Sequence, residues 1–331
     1  MSSNSSAAPP LPDLPQALPS SAGPSVKVVS LDTLRAEIDR LDDEMQDLLL
    51  RRAAVVVAVA GLRESGKIPF RPGREAAILR RLLARHRGPL DPRLLVRMWR
   101  ELFAATTAMQ APYVIAVCEA GAGAHAPSAQ THGAEFVQCA REHFGALTPL
   151  RTHRSPAQAI GQVSSGQAVA AVLPMPAEED AAASAWWTAL LHRDSPRIHI
   201  VARLPFWAPR AEGAPGVQAL VVAASPPDPS GPLGSRADRA LIGLELPLEM
   251  SRARLSAALV AAGLEPGAAI LRRDHGAPVA HALVEVEGFL TDDDPRLVDL
   301  PGLLRPAVVL GAYAVPIASA FASANASSPE G

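Results

Sequence analysis

Lysine is nearly missing from this chain: only Lys27 and Lys67 occur in 331 residues, and arginine supplies almost all of the positive charge. Basic and acidic residues nearly cancel, 31 against 33, which argues against a general attraction to nucleic acid or to an anionic membrane. Cysteine is as scarce. Cys118 and Cys139 lack metal-site spacing, and the nine histidines form no HxxxH or HxH cluster, so a disulfide scaffold and a structural zinc are both set aside. No window approaches 18 uninterrupted apolar residues, so no membrane span is expected. Residues 1–29 carry no basic stretch followed by a long apolar run. They read as a disordered Ser/Pro/Ala-rich tail, not a signal peptide, and a soluble cytoplasmic protein is the expectation. The length predicts about two domains.

What is present begins with one long amphipathic segment, Leu31 to Arg63. Apolar residues fall at Leu31, Leu34, Ile38, Leu41, Met45, Leu48, Val55, Val59 and Leu62, in steps of three and four that predict a helix. The single gap in the stripe holds Arg52. A helix of this length measures about 50 Å, more than an ordinary globular helix needs. Such a rod needs a partner along its length, and an arginine in its buried stripe needs an anion. Arginine suits planar, bidentate recognition of carboxylate or phosphate, although a GC-rich genome produces the same Ala/Arg/Pro-rich composition.

Ser30 or Asp32 caps this helix, and a connection full of Gly and Pro follows Arg63. A second helix is expected over Arg74–His86, with Ile78, Leu79, Leu82 and Leu83 as its apolar face. A third, capped by Asp91 with Pro92 at its first position, runs through Leu94, Leu95, Met98, Trp99, Leu102, Phe103 and Thr106 to Gln110. From Tyr113 the pattern changes to β–α alternation. Strands are expected at 113–118, 169–173, 198–204 and 218–223, and helices at 133–144 and 155–166. Residues 225–234 form a linker or surface loop. The last third reads βαββαβ, with strands at 239–244, 268–272, 281–288 and 308–313 and helices at 251–262 and 295–304. That is the ferredoxin-like arrangement. Trp186, Trp187 and Trp207 mark either a pocket or ordinary packing.

Arg52 and Arg63 share a helix face roughly 16 Å apart, whereas Arg35 lies about 25 Å from Arg52 and about 100° around the helix. A small ligand cannot touch all three on one copy; an antiparallel second copy brings Arg35 of one chain to Arg52 and Arg63 of the other. Here the chain resembles a known family. Leu34-Arg35-x-x-Ile38-x-x-Leu41-Asp42, Leu49-x-Arg51-Arg52, Arg74-Glu75 and Gln110 resemble the all-helical class of chorismate mutases, intertwined dimers that convert chorismate to prephenate. The resemblance implies that Arg35 of the partner chain and Arg52 bind the substrate's carboxylates. Glu75 accepts the ring hydroxyl's hydrogen bond, Arg63 and Gln110 donate to the ether oxygen, and Thr106 and the backbone near Arg71 line the pocket. It implies no cofactor and no metal. The family usually has Lys where this chain has Arg63, and Lys67 is a possible substitute.

Residues 155–174 are similar to the stretch that leads into the Pro-Ile-Glu-Asn motif of prephenate dehydratases, but here that motif reads Pro174-Met175-Pro176-Ala177. The Thr-Arg-Phe signature reads Val217-Gln218-Ala219. Residues 281–313 resemble the ACT domain attached to those enzymes, without its phenylalanine-binding motifs. The fold class expected is therefore an all-α domain over 30–112, a degenerate dehydratase-like α/β domain of periplasmic-binding-protein-like type over 113–236, and an α+β ferredoxin-like ACT-type domain over 237–317, with a disordered tail over 318–331. The expected function is that of a chorismate mutase acting as a homodimer on chorismate. Its rivals are a bifunctional mutase–dehydratase and a non-catalytic sensor of shikimate-pathway metabolites.

Overall fold

The computed structural model describes residues 30–62, 69–119, 129–182, 184–298 and 300–318, with backbone alone at 129–132. The chain forms two compact units, Met1–Arg52 and Ala53–Gly331. The described part of the first unit belongs almost entirely to helix α1 (Leu31–Gly61). Ser30 caps it, its Oγ accepting from the Thr33 amide at 3.1 Å. Arg40 pairs with Glu37 and Glu44 at helical spacing along its surface. No side chain of α1 is fully buried: Leu34, Leu41 and Leu48 of the apolar stripe are 51%, 44% and 61% exposed. The helix ends at Gly61, short of the expected Arg63, which lies outside the described residues together with Lys67.

The second unit continues with α2 (Pro72–Arg85) and α3 (Pro92–Ala108). As expected, Asp91 caps α3, accepting from the Arg93 amide at 2.8 Å. The start of α2 was expected at Arg74 but falls at Pro72, because its cap is remote. The Asp228 carboxylate accepts from the amides of Gly73 and Arg74, both at 2.9 Å, and the Arg71 side chain caps nothing. Ala76, Leu79 and Leu83 of α2 and Val96 and Phe103 of α3 pack with Phe206, Ala314 and Ile317. The buried stripe of α3 is thus Val96, Arg100, Phe103 and Thr107, while Leu94 and Met98, expected inside, are exposed.

Next come β1 (Ile115–Cys118), α4 (Ala129–Phe144), β2 (Leu150–His153), α5 (Pro156–Ser164) and β3 (Ala170–Pro174). A 3₁₀ turn over Trp186–His192 leads to β4 (His199–Leu204), β5 (Trp207–Ala208) and β6 (Ala219–Ala223). The strands run β2-β1-β3-β6-β4; β2, β1 and β3 are parallel, and β6 is antiparallel to both its neighbours. This is an α/β arrangement, as the β–α alternation predicts. Every residue of β1, β3 and β6 is buried, as befits strands covered on both faces. Phe136, Cys139 and Ala140 of α4 pack into the core on one face, and Trp187 and Val163 into the core on the other.

The chain ends with β7 (Asp238–Leu246), α6 (Arg252–Ala261), β8 (Pro266–Arg272), β9 (Ala280–Glu287), β10 (Val308–Ala314) and β11 (Ile317–Ala318). Strands β10-β7-β9-β8 are antiparallel throughout, the order a ferredoxin-like βαββαβ chain requires. Its second helix, expected over 295–304, is cut to a 3₁₀ turn at Pro295–Leu297; Pro301-Gly302 cannot continue a helix. Strand β10 also pairs in parallel with β4 through Gly311 and Ile200, so one nine-stranded sheet runs through both regions. Only glycine fits at that junction. Gly311 has φ +148°, and a Cβ there would lie 2.0 Å from the Ile200 carbonyl oxygen.

Candidate active site

The candidate residues on α1 are Arg35 and Arg52. Arg35 reaches Asp32 at 3.4 Å on the exposed first turns. Arg52 sits in the apolar stripe and is partly buried, and that burial holds its guanidinium below its ordinary value. A cation held in such surroundings gains from an anionic partner.

The second unit contributes the start of α2 and the end of α3. Glu75, in the first turn of α2, receives a hydrogen bond from Arg100 Nη1 at 2.8 Å, and both side chains are largely buried. Burial raises the Glu75 carboxyl to about 7, with Arg100 opposing the rise and Asp228 adding to it. Glu75 is therefore not the simple helix N-terminal carboxylate that its position suggests, but half of a desolvated ion pair. Arg100 lies over the Phe206 ring, 4.7 Å from its centroid.

Thr106 and Gln110 meet one turn apart on α3. Thr106 Oγ1 donates to the Leu102 carbonyl at 2.7 Å, and Gln110 Nε2 donates to the Thr106 carbonyl at 2.9 Å. Gln110 Oε1 is buried with no hydrogen-bond partner among the described residues, an acceptor left over where nearly every buried polar atom is paired. Arg71 reaches Asp228 at 3.3 Å, so the carboxylate that caps α2 also holds the residue preceding it. Arg63 lies outside the described residues.

Two residues of this region escaped the sequence reading. Arg100 carries the same signal as Arg52, an arginine in an apolar stripe with Val96 four residues before and Phe103 three after. Asp228 carries no local signal, since it acts 154 and 155 residues from its partners.

Residues 34–111 match the family described as chorismate mutase type II. A curated relative, the bifunctional chorismate mutase/prephenate dehydratase of Stutzerimonas stutzeri, is 32% identical over 92 residues, covering 26% of this chain and 25% of that protein. The chain thus spans about a quarter of the length of the curated relatives it matches. Among solved structures, GqqA, described as a novel type of quorum quenching acylase, is 16% identical, covering 61% of this chain and 94% of that one with a TM-score of 0.41. The prephenate dehydratase of Streptococcus mutans is 14% identical, covering 62% and 98% with a TM-score of 0.40. The match falls on the helical region in which the motif residues lie. Among the described residues no helix is long and apolar enough to cross a membrane, and no group of three metal-ligating side chains is present.

Proposed function

We propose that this protein is a chorismate mutase, rearranging chorismate to prephenate in a site built by residues 30–112. The observation that carries the reading is the family match over 34–111, which takes in Arg35, Arg52, Glu75, Thr106 and Gln110 in order. The reaction suits these groups. A pericyclic rearrangement needs no nucleophile and no cofactor; it needs a dianion held in its reactive shape and charge stabilised on the breaking ether oxygen. Arg52 and Arg35 of the partner chain hold the two carboxylates, Glu75 takes the ring hydroxyl, and Arg63 and Gln110 donate to the ether oxygen. Thr106 and the backbone near Arg71 line the pocket. Gln110 can meet that demand by giving its amide N–H to the substrate.

The second copy is part of the proposal. A 31-residue helix with none of its apolar side chains buried is supported as a dimerisation surface, since burying apolar area stabilises at about 25 cal/mol per Å². The dehydratase activity named in the relatives is not extended to this chain, because Pro174-Met175-Pro176-Ala177 and Val217-Gln218-Ala219 stand in place of its motifs. Chorismate consumption by the purified protein tests the reading. Arg52→Ala is expected to lower kcat/KM by roughly 10²–10³-fold, about 3–4 kcal/mol of transition-state stabilisation. Well-folded protein that binds chorismate without turnover would replace the enzyme with a sensor.

A further inference from the structure

The second unit holds a cavity of about 210 Å³ between α3, α4 and the segment that follows β4. None of the proposed mutase residues lines it. Its walls are mostly apolar, with Phe206 and Trp207 as the large flat surfaces. Trp186 and Trp187 are core residues; Trp207 is the tryptophan that borders open space. The charge in the lining is one-sided, four arginines against one carboxylate. Three of the four are engaged: Arg93 with Asp91, Arg100 with Glu75, and Arg210 with Glu142 at 2.5 Å. Arg97 is exposed at the rim and has no ion-pair partner among the described residues.

His143 contributes to the inner wall. His143 is 7% exposed, its ring edge-on to Phe144 and Phe206 at 4.8 and 6.4 Å. Its Nε2 is buried with no hydrogen-bond partner among the described residues. A cavity this size falls below the common range for drug-sized ligands, so it suits a molecule with one ring. Flat aromatic walls and one rim cation, Arg97, with no ion-pair partner among the described residues together define the ligand's chemistry.

We propose that this cavity binds a small aromatic carboxylate, with its ring against Phe206 and Trp207 and its carboxylate on Arg97. The site does not depend on the mutase reading, because none of its defining observations comes from the helical motifs. Arg100 nevertheless joins the two regions, bordering the cavity while holding the Glu75 carboxylate.

The test is titration calorimetry of the full chain with 3-phenylpropanoate, and with 3-phenylpropan-1-ol and acetate as comparisons. The wild-type protein is expected to give saturable one-to-one heats with 3-phenylpropanoate and at least about tenfold weaker binding of the alcohol and of acetate. Arg97→Gln, a change at the exposed rim, is expected to weaken binding by about tenfold or more. Ala214→Trp, which fills the cavity, is expected to abolish it. No saturable heat in the wild type, or unchanged binding in Arg97→Gln, overturns the proposal. Equal affinity for the alcohol overturns the anionic half of it, and equal affinity for acetate the aromatic half.

Discussion

Burial lifts the Glu75 carboxyl to about 7, so it changes charge within the ordinary working range of an enzyme. Its proton is bound more tightly in the folded chain than in the unfolded one. The stability this contributes is complete below the ordinary value of 4.5 and is lost as pH rises through 7. The difference amounts to about 3 kcal/mol at most. The wild type is therefore expected to lose thermal stability relative to Glu75→Gln between pH 5 and 8, measured by melting both across that range. The same charge bears on catalysis. An ionised Glu75 accepts the ring hydroxyl's hydrogen bond more strongly than the neutral acid, so KM for chorismate is expected to fall as pH rises through 7 while kcat changes little, and Glu75→Gln should flatten the KM profile. Arg52 could be found from sequence because a cation interrupts an apolar stripe, and Arg100 was findable by the same rule. The Glu75–Arg100 pair was not legible, because it depends on two helices meeting.

Among the elements, α2 depends on a carboxylate far away in the chain. Asp228 meets two amides of its first turn and Arg71 besides. Removing it leaves those donors without their acceptor, so Asp228→Ala is expected to cost about 1–2 kcal/mol of stability, measured by denaturant unfolding. It should also raise KM by loosening the turn that carries Glu75. The long helix, its Ser30 cap and the Asp91 cap of α3 were legible because their signals are local and periodic. Strand β2 was not, since Leu150-Arg-Thr-His153 has no buried residue and no apolar run at the sheet's edge. The two-residue strands β5 and β11 are too short for any pattern.

Across the whole molecule, the α/β and ferredoxin-like regions share one sheet, and the seam between β4 and β10 rests on Gly311. Any side chain there meets the Ile200 backbone. Gly311→Ala is expected to cost about 3 kcal/mol or more, read as a fall in the unfolding midpoint, and unchanged stability would mean the seam yields. Sequence periodicity identified both regions but gave no sign of the seam, because a strand's run of apolar residues does not say which neighbour it pairs with. The apolar stripe of α1 is a feature of the same scale. Its pattern was plain in the sequence, and Leu34, Leu41 and Leu48 are exposed in the single chain.

Mixing two inactive variants tests the central claim most directly. Arg35→Ala and Arg52→Ala are each expected to consume chorismate far more slowly than the wild type. If each site takes Arg35 from one chain and Arg52 from the other, a dimer with one chain of each kind contains one intact site. Co-refolding the two variants in equal amounts should then restore about a quarter of wild-type turnover. An inactive wild type would contradict the mutase assignment, and a mixture no more active than its two components would contradict the shared site.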